Sequence, residues 1–285
     1  VTLTERDPGL LPAYAPDATR ERLLTRIDTY YDWAPRATAR VEEHGSLVLF
    51  VAEQGWPFYA RPRLGRNTEP TTDEIHLVLS RQIELGVPRA LEWIQETTPS
   101  LAKAARAAGM TVHECPLLML GSLAGPEPVN GTVRLMDADE GELGNVNAAI
   151  DVAFGMPGTA VGEAGVVQRD DALNSPDAAQ RLGFTVDALR SGRTVCAGAF
   201  VDGAGAVGGG SHNPRGAISE IVGVGLLPAF RRRGLAGAIA HRLARHALES
   251  GMTTVFCGAE SSEVARVYER VGFYRIGTSC VAEMD

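Results

Sequence analysis

Lysine is nearly missing from this 285-residue chain: Lys103 stands alone among 27 basic residues, and the formal charge is −8. Phosphate-backbone binding needs a basic face, so DNA or RNA is excluded as an expected partner. Only four cysteines are present, Cys115, Cys196, Cys257 and Cys280, far apart and without a CxxC pair. That argues against a zinc site and a disulfide framework, and for buried free thiols. No uncharged apolar run approaches the ~18 residues of a membrane helix. The acidic start from Val1 to Asp7 lacks the basic-then-apolar order of a secretory signal. The expected setting is reduced and cytoplasmic, with no membrane partner.

What is present is an ordinary globular balance, 45% apolar and 22% charged, which sustains a large core and rules out disorder as the dominant state. Glycine is abundant, at 32 residues, and it punctuates the chain. The stretch Gly121-Ser-Leu-Ala-Gly-Pro-Glu-Pro-Val-Asn-Gly131 discourages helix and strand alike, and so divides the chain near residue 125. The expected organisation is a domain over 1–124, a linker over 125–131 and a domain over 132–285.

Upstream of the linker, the pattern predicts a helical region to about Glu43, strands at Leu47 to Ala52 and around Phe58 to Arg61, and a helix from Thr72 to Leu85. Downstream, Val133 to Met136 reads as a strand and Gly141 to Phe154 as a helix. Thr194 to Val201 is a strand that Asp202-Gly203 turns into Val207 to Ser211. Ala217 to Leu227 is apolar except for Ser219 and Glu220, as expected of a central strand covered on both faces. A helix from Arg232 to Ser250 carries Leu235, Ile239, Leu243 and Ala247 as one buried stripe. Thr253 to Gly258 is a strand. Ser261 or Ser262 caps a short helix stopped by Gly272, and Phe273 to Met284 is extended. A weak internal repeat aligns Leu91–Gly109 with Thr254–Gly272 at an offset of 163.

Arg231-Arg-Arg-Gly-Leu-Ala236 follows the buried strand and opens the long helix, where unpaired N–H groups and the positive dipole end can hold phosphate oxygens. Gly234 admits close backbone approach, Ala236 keeps the space clear, and Arg231, Arg232 and Arg233 add charge. Taken alone, the same run also reads as a solvated basic helix start. Glu220 is a carboxylate inside an apolar strand, where desolvation favours the proton-accepting range of a general base; a strand-end glutamate bonded to a structural partner is the other reading. Tyr268 lies on the stripe of the last helix and is either core or a proton donor. His241 and His246 are five apart, which is not the i, i+4 metal spacing, and read as solvated or packing residues. His212 and the terminal Asp285 are second-choice bases.

Arg231, Gly234 and Ala236, with Val224-Gly-Leu-Leu-Pro228 before them and Tyr268-Glu-Arg-Val-Gly-Phe273 after, resemble the GNAT superfamily of acyl-CoA-dependent N-acyltransferases. The resemblance spans about residues 131 to 285. It implies an α/β GNAT fold with a mixed sheet flanked by helices, acetyl-CoA as acyl donor, and no metal. It further implies donor contacts from Val224, Gly225, Leu226, Arg231, Arg232, Arg233, Gly234, Leu235, Ala236, Gly237, Ser261 and Tyr268. The eleven-residue interval from Glu220 to Arg231 is that of the catalytic glutamate in the family's histone-acetylating branch. Ser261 stands where the family often has Asn. The upstream half resembles a second, degenerate GNAT copy without the RxxGxA run, with Ala105 opposite Tyr268 in the repeat. The implied reaction is direct transfer of acetyl to a primary amine of a small molecule or peptide, in a ternary complex, by a monomer or homodimer. Two other functions stay open: transfer of a longer acyl chain, marked by an apolar tunnel, and non-catalytic acyl-CoA sensing, marked by a closed acceptor cleft.

Overall fold

The computed structural model describes residues 19–52, 57–65 and 68–284. The chain start at Val1 to Asp7 and the second-choice base Asp285 lie outside them. In chain order the elements are α1 (Arg20–Trp33), β1 (Ala39–His44), β2 (Leu47–Ala52), β3 (Arg61–Pro62), α2 (Thr72–Leu85), β4 (Ala90–Ile94), α3 (Leu101–Ala107) and β5 (Thr111–Leu120). After residues 121–131, which carry no helix or strand, come β6 (Thr132–Met136), α4 (Leu143–Phe154), α5 (Val166–Leu173), α6 (Ala178–Arg190), β7 (Val195–Val201) and β8 (Gly205–Arg215). They are followed by β9 (Ile218–Leu226), α7 (Leu235–Glu249), β10 (Thr254–Gly258), α8 (Ser262–Val271) and β11 (Phe273–Glu283).

Two compact units share these elements: Leu118–Arg275 form one, and residues 19–117 with 276–284 form the other. The sequence reading assigns all of 132–285 to a single domain, whereas the end of β11 belongs to the unit built mainly from the first half of the chain.

In that smaller unit, β1 and β2 are an antiparallel hairpin and β2 pairs briefly with β3. Residues 39–43, expected in a helix, belong instead to β1, whose charged Arg40, Glu42 and Glu43 lie opposite the apolar β2. A single parallel bridge, Ala60 to Leu91, links the start of β3 to β4, which also pairs antiparallel with residues 279–283. α2 begins with a capping box: the Thr71 hydroxyl accepts from Glu74 N–H, and the Glu74 carboxylate accepts from Thr71 N–H. Leu47, Leu49, Ile75, Val78, Trp93 and Leu101 fill the core beneath it.

In the larger unit, β6, β7, β8 and β9 pair antiparallel in that order, and β10 joins β9 in parallel, giving a mixed sheet. One face has a strip of bare backbone: Gly198, Gly209 and Gly225 are cross-strand partners in a row. A Cβ on them would come within 2.9 Å, 2.6 Å and 2.9 Å of α4 atoms from Val146, Val146 and Ala153. α4 therefore lies directly on three strands. The opposite face receives α7 through fully buried Leu235, Ile239 and Leu243, each contributing about 1.5–3 kcal/mol by burial. The element starts also repeat: Thr72 and Leu235, Ala90 and Thr254, Leu101 and Ser262, and Thr111 and Phe273 lie 163, 164, 161 and 162 residues apart.

Candidate active site

The site grows from a strand pair that opens. β9 and β10 share three register pairs, ending at Phe256 opposite Glu220, although β9 continues to Leu226. On its other edge β9 carries a bulge: Gly209 faces Gly225 and Ser211 faces Val222, so Gly223 and Val224 stand against Gly210 alone. Gly223 supplies the left-handed turn at φ +66°. Beyond Glu220 the main chain of Val224, Gly225 and Leu226 has no register partner on β10, and this opening between the two strands is the slot.

The slot leads to a loop with unusual backbone. After a 3₁₀ turn at Pro228–Phe230, Arg232 has φ +63°, the one non-glycine residue at positive φ among the described residues. Gly234 follows at φ +79° as the N-cap of α7. A left-handed arginine costs roughly 1–3 kcal/mol and persists only where its surroundings impose it. The first intrahelical bond runs from Ala238 N–H to Gly234 C=O, so the N–H groups of Leu235, Ala236 and Gly237 face out of the helix start. Arg232, Arg233 and Gly234 are exposed, Leu235 is buried as the anchor, and Ala236 and Gly237 are half-buried. Such a run of outward-facing donors is suited to cradle an anion.

The three arginines behave differently. Arg233 stacks over Phe230 at 5.0 Å and donates to Ala229 C=O. Arg231 is half-buried, and its guanidinium donates to four main-chain carbonyls, Leu226, Ala160, Ala153 and Met156, instead of projecting into the cradle. Its charge is spent on these carbonyls, contrary to the expectation that it stands beside the anion.

Glu220 is half-buried, opposite Asn213 of β8 and Phe256 of β10. Its charge reaches both Cys257 and Tyr268, raising their pKa values beyond what burial alone does. Tyr268 is 6% exposed and meets Phe273 edge-on at 5.7 Å. Burial first, then Cys257 and Glu220, hold its phenol well above the usual range, so it keeps its proton. The core and site readings of Tyr268 are thus compatible. Ser261 is the N-cap of α8, its Oγ accepting from Val264 N–H at 3.3 Å. Cys257, read from sequence only as a buried thiol, lies fully enclosed within the electrostatic range of this pair.

His212 is fully buried, so as placed it meets no substrate. Its Nδ1 bonds Ser219 Oγ at 2.8 Å and its Nε2 bonds His246 Nδ1 at 2.9 Å, joining β8, β9 and α7. His241 bonds Ala124 C=O at 3.0 Å. Burial, then His246, lowers the His212 pKa to about 4 from 6.5. The folded state therefore excludes a proton that the unfolded chain takes up. Stability is fully present above pH 6.5 and is lost as pH falls toward 4, by about 3 kcal/mol. Chemical-denaturation midpoints between pH 8 and pH 4.5 should fall more steeply for the wild type than for His212→Gln; parallel curves would count against this.

Among the described residues no helix is long and apolar enough to cross a membrane, and no cluster of three or more His, Cys, Asp or Glu is placed to hold a metal ion.

Residues 162–273 match the family model described as the Acetyltransferase (GNAT) family. A GCN5-related N-acetyltransferase from Kribbella flavida matches at TM-score 0.65 and 20% identity, covering 91% of this chain and 95% of that one. One from Sphaerobacter thermophilus matches at TM-score 0.56 and 17% identity, over 95% and 87%. A GCN5-related N-acetyltransferase-like protein from Streptococcus suis 89/1591 matches at 0.51 and 13%, over 93% and 99%. A search of curated proteins found no significant match. Residues 162–273 thus carry the match to the Acetyltransferase (GNAT) family, and the α/β fold of the chain is that of GCN5-related N-acetyltransferases along nearly the whole length.

Proposed function

We propose that the larger unit transfers acetyl from acetyl-CoA directly to a primary amine of a small molecule or peptide. The observation that carries this reading is the slot: it opens at Glu220, passes the bulged main chain of β9 and ends at the cradle of α7. Acetyl-CoA supplies an electrophilic thioester and a thiolate leaving group. The N–H groups at the start of α7 hold its phosphates, and the Ser261 hydroxyl, still able to donate while it caps α8, steadies the arm. A main-chain amide near Val224 polarises the carbonyl. Glu220 takes the proton from the acceptor ammonium through water, so that neutral nitrogen attacks; Tyr268, neutral and close by, returns a proton to sulfur. Screening amine pools with acetyl-CoA while following thiol release tests the reading, and no release with any amine would refute it.

The smaller unit is, in the same proposal, a degenerate copy. The repeated element spacing supports it, as does the equivalence of the Ala60–Leu91 bridge and the Ile218–Thr254 pair, since Leu91 and Thr254 obey the 163-residue offset. Its helix start is capped by its own chain: the Thr71 hydroxyl accepts from Glu74 N–H, and the Glu74 carboxylate accepts from Thr71 N–H, Ser46 N–H and Ser46 Oγ. Beyond the Ala60–Leu91 bridge, buried Arg61 binds Asp28 at 2.6 Å and stands 3.7 Å from Glu92. Calorimetry should therefore find one CoA per chain; two equivalent sites would sink the degenerate-copy reading.

Tyr268→Phe separates chemistry from packing, because the ring remains. Turnover should fall about tenfold at unchanged acetyl-CoA affinity, a modest loss because a thiolate is a good leaving group and departs without much help. A donor with a more acidic leaving thiol should rescue the variant more than the wild type. Full turnover on acetyl-CoA would leave Tyr268 as core alone.

A further inference from the structure

Arg231 has two jobs in one residue. Its main chain opens the cradle, and its side chain reaches the end of α4 and the segment after it. Nη2 donates to Ala153 C=O at 3.2 Å and Met156 C=O at 2.5 Å, Nη1 to Ala160 C=O at 3.3 Å, and Nε to Leu226 C=O at 3.3 Å. The last carbonyls of a helix lack internal donors and carry the negative dipole end, so a guanidinium suits them in charge and in geometry. The same segment is tied further along: Gly162 N–H donates to Pro228 C=O, Ala229 N–H to Ala164 C=O, and Thr159 Oγ1 to Glu263 of α8 at 2.8 Å. Phe154, 59% exposed, stands over β9, its ring 3.6 Å from where a Cβ on Gly225 would be. Residues 153–160 therefore form a wall along the slot on the α4 face.

We propose that Arg231 is a positioning residue that couples donor to acceptor. Its fork fixes residues 153–160 as the acceptor-side wall, and an anion in the cradle steadies the main chain from which that fork extends. The proposal rests on the reading that the cradle takes CoA. It differs from a phosphate-contact role, because the guanidinium faces carbonyl oxygens that need a planar set of donors and not merely a positive charge. Lysine at this position keeps the charge and loses the fork.

Hydrogen exchange on the full chain, with and without CoA, tests it in the wild type, Arg231→Lys and Arg231→Gln. Without CoA, amides of residues 154–162 should exchange about tenfold faster in both variants, with the α7 core at 239–247 unchanged. CoA should slow exchange at 154–162 in the wild type and not in the variants, while CoA affinity of the lysine variant stays within about threefold. Unchanged exchange at 154–162 in both variants would overturn the proposal. So would a rise shared equally by the α7 core, which would make the fork a general brace. A thirtyfold loss of CoA affinity with the segment still protected would make Arg231 a phosphate ligand instead. A wild type that binds no CoA would overturn the reading above and the coupling with it, whereas the comparison of variants without CoA would still report the fork.

Discussion

Glu220→Gln is expected to lower turnover by about 10²-fold or more at neutral pH while leaving CoA affinity unchanged, the loss typical of a removed general base. The amide preserves the shape of the side chain and removes its ability to accept the ammonium proton. Position makes this residue the candidate: the β9–β10 ladder ends at Glu220, where the slot begins. Its reach to Tyr268 and Cys257 puts the base within electrostatic range of the proposed acid. Wild-type turnover should rise with pH along a limb set by the base, and that limb should vanish in the variant. A variant that keeps the wild-type profile would place the base elsewhere. Enclosed His212, with its pKa lowered to about 4, is a poor successor.

Much of the larger unit was legible because its elements carry local signatures. The four-residue stripe of α7, the Ser261 cap and Gly272 stop of α8, and the apolar run of β9 each express a period or a terminus in consecutive residues. In the smaller unit, the Thr71–Glu74 capping box marks α2 in the same way. β1 was misread because Glu42 and Glu43 hide a strand whose partners lie across the hairpin. α5 and α6 escaped notice for a related reason: α6 buries no residue fully, so no strong apolar stripe announces it. α7 begins three residues later than expected because Arg232 and Gly234 adopt left-handed conformations that propensity does not register.

The candidate site divides along the same line. Glu220, Gly234 and Tyr268 stood out by residue type and spacing. The His212–Ser219–His246 chain joins three elements distant in sequence. The Arg231 fork ends on carbonyl oxygens, which every residue has and no residue type advertises. Contacts of these two kinds become visible only when the chain is folded.

Gly234→Val is expected to weaken CoA binding by about 10²-fold with little loss of global stability. Gly234 holds φ +79°, a conformation that glycine takes freely, that costs other L-residues about 1–2 kcal/mol, and that is a genuine outlier for a β-branched side chain. A Cβ there would also come 3.1 Å from Val129 Cγ1. The loop is exposed, so the chain can relieve the strain by turning Gly234 toward negative φ, at the expense of the alignment of the N–H groups that follow. Each charge-assisted bond from such a donor contributes about 1.5–3 kcal/mol, and misaligning two of them removes roughly 3 kcal/mol, or 10²-fold. A graded series separates backbone conformation from bulk. Asn tolerates the left-handed region and should lose least, Ala should lose more, and Val most. Calorimetric affinities in that order, with near-constant melting temperatures, are the expected result. Equal CoA affinity across the series would mean that the phosphates are held away from the start of α7.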